Sequence, residues 1–155
     1  MNYKDYLDNK QKEFGSLPIF FAFGREQFKK AMEEHGLTEK DTDKIYKLGD
    51  TGGFYLRENA PIIREYFKKP DELPTLMKDS KFAVDAFYYE MLNHEYHINL
   101  QGDYDVCSCF GKCEYAEDKG FEDYLKEMGY SDDVLCSFIS AYIQYSDDVK
   151  KNNIN

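Results

Sequence analysis

Apolar side chains recur three and four positions apart along most of the chain, the spacing that places them on one face of an α-helix. The clearest run covers residues 81–97, where Phe87 and Met91 share a face and Ser80 precedes the first turn as a cap. The same pattern, with caps and glycines at the ends, predicts further helices over residues 3–14, 25–35, 38–48, 62–69, 121–128 and from Ser131 onward.

Three short stretches instead have the apolar and aromatic character that is typical of strands. Residues 17–23 form an unbroken apolar run with a proline near its start. Residues 54–56 follow a glycine-rich turn, and residues 104–110 precede Gly111. We therefore predict a small sheet, antiparallel in its pairing, among the helices.

The sum of these elements is an α+β fold, a single compact domain that is mainly helical with a small antiparallel sheet. We expect the domain to cover residues 1–149 and residues 150–155 to form a frayed tail. The predicted core includes Phe20, Phe23, Phe28, Phe87, Met91, Ile139 and Ile143, with Cys136 as a small core residue beside the apolar stripe of the last helix.

Acidic residues outnumber basic residues by 30 to 20 in this 155-residue chain, which gives a formal net charge of −10. Twelve of the acids and only five of the bases lie in residues 101–155. Such a chain is repelled by the phosphate backbone of nucleic acids and attracted to basic protein surfaces. The alternative interpretation is a solvated surface that only keeps the protein soluble.

The apolar residues also exclude intrinsic disorder and bear on the cellular compartment. A hydrophobic fraction of 42% excludes intrinsic disorder as the main state. The longest apolar run, residues 17–23, is too short to cross a bilayer, and residues 1–12 are charged and lack the apolar region of a secretory signal. We therefore expect a cytoplasmic protein without a membrane partner.

Three cysteines lie within seven residues, in the pattern Cys107-x-Cys109-x3-Cys113. Because a cytoplasmic chain keeps its thiols reduced, a metal explains this cluster better than a disulfide framework does. Zinc takes thiolate and imidazole ligands, and His94 and His97 lie near the end of the preceding helix. We predict a structural zinc site that one of these histidines completes. The alternatives are incidental buried thiols and a core histidine.

The remaining motifs argue against catalysis. His94-Glu95-x-His97 resembles the zinc-hydrolase pattern H-E-x-x-H, but its histidines are three positions apart rather than four. The glycines of residues 49–53 lack the lysine and the hydroxyl residue of a phosphate-binding loop. We therefore predict that the protein is not an enzyme.

Several short segments together resemble a known family. Residues 93–96 (NHEY) and 108–111 (SCFG), with residues 19–23, 26–28 and 52–54, are similar to segments of small phage and prophage proteins of Gram-positive bacteria. Type II anti-CRISPR proteins, which inhibit Cas9, are among such small acidic phage proteins, and the chain resembles a zinc-containing member of that group. The resemblance implies an anti-defence protein that binds Cas9 or its guide-RNA complex, and the acidic charge predicts that the protein does not itself bind nucleic acid.

The charge pattern fits this expectation, because Cas9 holds RNA and DNA in positively charged channels that an acidic protein can occupy. Acids alternate with aromatic residues between positions 103 and 133, so the acids would steer association and the aromatic rings would anchor it. The predicted partner-binding residues are Asp103, Asp105, Glu114, Glu117, Asp118, Glu122, Asp123 and Glu127.

Two other functions stay open at this point. The first is a small metal-dependent phage enzyme, which an open coordination position with a bound water would favour. The second is an adaptor or structural protein in which zinc only stabilises the fold. A closed coordination site would allow this function.

Overall fold

The computed structural model describes residues 1–152, and over these residues the fold is α+β, mainly helical with one small antiparallel sheet, as predicted. The α-helices are α1 (Tyr3–Gly15), α2 (Arg25–Glu34), α3 (Ala60–Lys68), α4 (Leu73–Leu76), α5 (Ser80–Asn93), α6 (Gly102–Ser108), α7 (Phe121–Glu127) and α8 (Asp132–Asn152). The strands are β1 (Phe20–Phe21), β2 (Ile45–Leu48) and β3 (Gly53–Leu56), and 3₁₀ turns cover Thr42–Lys44 and Arg57–Asn59.

The chain divides into two compact units. One unit, called the helical unit below, combines Met1–Lys10 with the chain from Asp71 onward. The other, called the sheet unit, is Gln11–Pro70. Helix α8 continues to Asn152, so residues 150–152 of the predicted tail are helical, and the remainder of that tail lies outside the described residues. The boundary of a domain at residue 149 stays a prediction.

The sheet unit contains three antiparallel strands in the order β1-β3-β2. Tyr46 of β2 lies opposite Tyr55 of β3, and Phe20 of β1 lies opposite Phe54 on the other side of β3. Of the predicted strand over residues 17–23, only the two residues of β1 are paired.

The predicted helix over residues 38–48 is wrong, because the second half of this segment is strand β2. The cap-like pair that suggested a helix start closes a local turn instead: the Asp41 carboxylate accepts hydrogen bonds from the backbone N–H and the hydroxyl of Thr38, both at 2.8 Å. The turn between β2 and β3 uses Gly49 and Gly52 at φ +52° and +77°, which glycine adopts without strain.

The core of the helical unit lies where α5 packs against α8. Phe87 and Met91 of α5 are fully buried, as predicted. The Phe87 ring makes edge-on contacts with Phe110 at 4.8 Å and with Phe138 of α8 at 5.0 Å between centroids. The buried residues of α8 are Val134, Leu135, Ser137, Phe138, Ala141 and Tyr145.

Several predicted core residues are not in the core. Ile139 and Ile143 are 44% and 58% exposed, because the buried face of α8 runs through Phe138 and Ala141 and leaves these side chains on the flank. Cys136 is exposed for the same reason. In the sheet unit, the side chain of Phe23 is 78% exposed. Phe20 and Phe28 are half-buried.

The ends of α5 and α6 also differ from expectation. Asp79 rather than Ser80 caps α5, with its carboxylate accepting from the Phe82 N–H at 3.0 Å. Helix α5 ends at Asn93, so residues 94–97 lie beyond it. The predicted strand over residues 104–110 is wrong, because most of this segment is helix α6. Within the described part of the chain, no helix has the length and apolar character needed to cross a membrane.

Candidate metal centre

Three potential metal ligands meet where the last turn of α5 approaches the end of α6. Glu90 and His94 are four residues apart, which places them on one face at the end of the helix. Cys109 follows α6 directly. The Cys109 Sγ lies 3.5 Å from His94 Nε2, and His94 Nε2 lies 3.6 Å from Glu90 Oε2. All three ligand atoms lie within 4.8 Å of one another, so the cluster can hold a metal ion.

Glu90 is only 5% exposed, and two side chains hold its carboxylate in place. Tyr3 donates its hydroxyl to Oε1 at 2.8 Å, and the Asn93 side-chain amide donates to Oε2 at 3.2 Å. Burial, reinforced by the hydrogen bond to Glu90, raises the pKa of Tyr3 well above its usual range. The tyrosine therefore stays a neutral donor that orients the carboxylate toward His94.

Cys109 is protonated when no metal is bound. Burial, and after it the negative charge of Glu90, raises the pKa of the Cys109 thiol to about 12. The thiol donates to the Asp105 carbonyl oxygen at 3.3 Å. A divalent metal would displace this proton, because thiolate is the form that binds metals. Carboxylate, thiolate and a divalent ion then sum to a neutral site, which suits burial.

The distances from His94 Nε2 to the other two ligand atoms fit a tetrahedral ion. Bond lengths of about 2.0–2.3 Å from zinc to oxygen, nitrogen and sulfur put neighbouring ligand atoms roughly 3.3–3.6 Å apart at tetrahedral angles. The two distances from His94 Nε2, 3.5 Å to sulfur and 3.6 Å to oxygen, lie at this separation. Three protein ligands leave one tetrahedral position for a water molecule or another donor.

The structure brings His94 and Cys109 together, but it places the other predicted ligands elsewhere. His97 is exposed, and its Nδ1 lies 2.6 Å from the hydroxyl of Tyr145. Cys107 is buried in the core, where burial raises the pKa of its thiol. Cys113 is half-buried, and burial raises the pKa of its thiol too. Among residues 1–152, the grouped ligands are Glu90, His94 and Cys109.

The predicted partner-binding acids differ in their surroundings. Asp103 accepts hydrogen bonds from the Tyr96 hydroxyl and from the Phe121 N–H, so it holds α6 to its neighbours. Asp105 accepts from the Asn99 side-chain amide at 2.8 Å. Glu127 forms an ion pair of 2.6 Å with Lys119.

The other five predicted acids are exposed to solvent. Two of them begin α7, where the positive end of the helix dipole favours carboxylates. We call this group the acidic surface, and it consists of Glu114, Glu117, Asp118, Glu122 and Asp123.

Comparison with known proteins identifies one family. The family described as "Family of unknown function (DUF7659)" matches residues 2–128, which include all three grouped ligands and the acidic surface. No curated protein and no solved structure matches the chain.

Proposed function

The chain belongs to the DUF7659 family of unknown function, and we propose that it is a non-enzymatic binding protein with a structural zinc ion at Glu90, His94 and Cys109. The observation that carries the proposal is the convergence of these three side chains, with His94 Nε2 at tetrahedral spacing from each of the other two ligand atoms. The ion would join the end of α5 to the end of α6, and so hold the start of the acidic segment against the core.

Zinc is the metal that this set of donors favours. Thiolate and imidazole together select zinc over magnesium or calcium, which prefer oxygen ligands. Cobalt(II) is a spectroscopic substitute for zinc, and a cobalt-loaded wild-type protein should show an intense thiolate-to-cobalt charge-transfer band. The band should disappear in Cys109→Ser and persist in the matched control Cys136→Ser, whose thiol is exposed on α8. A band lost in Cys136→Ser would contradict the assignment.

The acidic surface is the proposed docking face. Its five exposed carboxylates lie within ten residues of sequence, beside Lys119, whose charge is already paired with Glu127. A basic protein surface would be attracted by the formal net charge of −10, and the association rate should fall as salt is added. The target we propose, from the resemblance to phage proteins, is Cas9 or its guide-RNA complex in the bacterial cytoplasm.

A Cas9 cleavage assay with the protein in excess tests this target. We expect inhibition by the wild type and weaker inhibition by the triple variant E117K/E122K/D123K. The matched control is E26K/E33K/E34K, which changes the net charge equally on exposed positions of α2. Equal loss in both variants would mean that net charge acts without a defined face. Unimpaired cleavage across several Cas9 orthologues, with no complex on size exclusion, would reject Cas9 as the target.

A metal-dependent enzyme is the second candidate, and one observation favours it. The ligand cluster found among residues 1–152 has three members, which leaves one coordination position for a catalytic water. Azide added to the cobalt-loaded protein distinguishes the two functions. A structural site closed by a fourth donor should give an unchanged spectrum. A saturable shift in the cobalt bands would reveal an exchangeable position and favour the enzyme.

A further inference from the structure

A small aromatic cleft lies in the helical unit beside the acidic surface. Its volume is 270 Å³, and its lining includes Tyr104, Tyr115 and Tyr124 together with the acidic residues Asp103 and Glu117. This volume lies just below the range of about 300–1,000 Å³ for small-molecule sites. The cleft therefore suits a group the size of one side chain rather than a large cofactor.

The three tyrosine rings form a corner. Tyr104 meets Tyr115 at 5.4 Å and 71°, and it meets Tyr124 at 5.6 Å and 62°. Rings at such angles turn their negative faces and their positive edges in different directions around one space. Tyr124 is buried and is fixed by donating its hydroxyl to the Ala116 carbonyl at 3.0 Å, whereas Tyr115 is 45% exposed at the mouth.

The protein already places one cation against this corner. Lys119 Nζ lies 5.6 Å from the centroid of the Tyr124 ring, within the distance of a cation–π contact. The ammonium group of Lys119 forms an ion pair with the Glu127 carboxylate at 2.6 Å, and it also donates to the Glu114 carbonyl at 3.1 Å. Glu117, exposed at the rim, has no comparable ion pair among the described contacts and would provide a carboxylate for an incoming cation.

We propose that this cleft binds the guanidinium group of an arginine side chain. A planar guanidinium can stack on a tyrosine face and bond a carboxylate with two parallel N–H groups, which an ammonium cannot do. The tyrosine rings of the cleft supply the stacking surface, and Glu117 supplies the carboxylate. This inference deepens the proposed function, because it names the group on a basic partner that the acidic surface would receive.

The test uses no partner protein, so its outcome is independent of whether Cas9 is the target. N-acetyl-arginine methylamide is titrated into the ¹⁵N-labelled full chain, with the citrulline and lysine analogues as the neutral and ammonium controls. We expect saturable shifts confined to amides around the cleft, and binding of the arginine amide at least fivefold tighter than that of either analogue.

Variants separate the two contacts. Tyr115→Leu and Glu117→Gln should each weaken binding of the arginine amide at least threefold, while Phe67→Leu, an exposed aromatic of the sheet unit, should leave it unchanged. Citrulline binding as tightly as arginine would overturn the proposal, and so would lysine doing so. Shifts that do not saturate, or that survive in both cleft variants, would also overturn it.

Discussion

Removing the hydroxyl of Tyr3 tests how the metal centre is held. This hydroxyl donates to Glu90 Oε1 at 2.8 Å. The hydrogen bond from the Asn93 side chain to the same carboxylate is longer, at 3.2 Å. In Tyr3→Phe the ring keeps its contacts, including the edge-on contact with Tyr89 at 5.5 Å. The perturbation is therefore confined to one donor.

The expected magnitude follows from the burial of the acceptor. Leaving a buried carboxylate oxygen without its donor costs about 1–3 kcal/mol. Loss of a group that orients a metal ligand lowers metal affinity by about 10–100-fold, or about 1.4–2.8 kcal/mol. The stability cost applies because Glu90, at 5% exposed, has little water with which to replace the tyrosine.

Two measurements check this prediction. Competition with a chromogenic chelator should show zinc affinity reduced at least tenfold in Tyr3→Phe, and urea unfolding with the metal removed should show about 1–3 kcal/mol less stability. The matched control Tyr89→Phe removes a hydroxyl from the neighbouring ring and should change neither value by more than about 0.5 kcal/mol. Unchanged zinc affinity in Tyr3→Phe, despite lost stability, would refute Glu90 as a ligand.

The fold makes further predictions. Phe87→Ala should lower the free energy of unfolding by about 3–5 kcal/mol in urea denaturation, whereas Ile143→Ala, at a 58% exposed position, should change it far less; comparable losses would contradict the packing of α5 on α8. Tyr130 donates to the Phe110 carbonyl at 2.8 Å, so Tyr130→Phe should cost about 1 kcal/mol at pH 7. Burial raises the pKa of Tyr130 from 10.0 to about 12, so this hydroxyl stabilises the fold fully below pH 10 and loses its effect as pH rises toward 12. The difference between wild type and Tyr130→Phe should therefore narrow between pH 10 and pH 12, and a widening difference would contradict the burial.

Amphipathic helices are the part of the fold that could be predicted from the sequence. α1, α2, α3 and α7 begin and end within about two residues of the predicted bounds, because their apolar spacing and end signals agree. Strand β3 agrees with the predicted strand over residues 54–56, but β2, its partner in the hairpin, could not be found in this way. Its pairing of Tyr46 with Tyr55 is a tertiary contact, whereas the local Thr38–Asp41 pair imitates a helix start.

The metal centre was predicted only in part, and helical geometry explains why. At about 100° per residue, Cys107 and Cys109 differ by about 200° around the axis of α6 and its C-cap, so Cys107 enters the core while Cys109 turns toward His94. In the predicted strand over residues 104–110, residues two apart would lie on one side, which would keep both sulfurs together. Glu90 was missed because a carboxylate within an apolar helix face is ordinarily exposed. Its spacing of four residues before His94 is the signal that could have found it.

The central claim is that Glu90, His94 and Cys109 form a zinc site, and the zinc content of protein purified without added metal tests it most directly. Elemental analysis should give one zinc per chain for the wild type and for the control Cys113→Ser, and a ratio near zero for Cys109→Ser. A wild-type ratio near zero, or zinc lost from Cys113→Ser and kept by Cys109→Ser, would contradict the account.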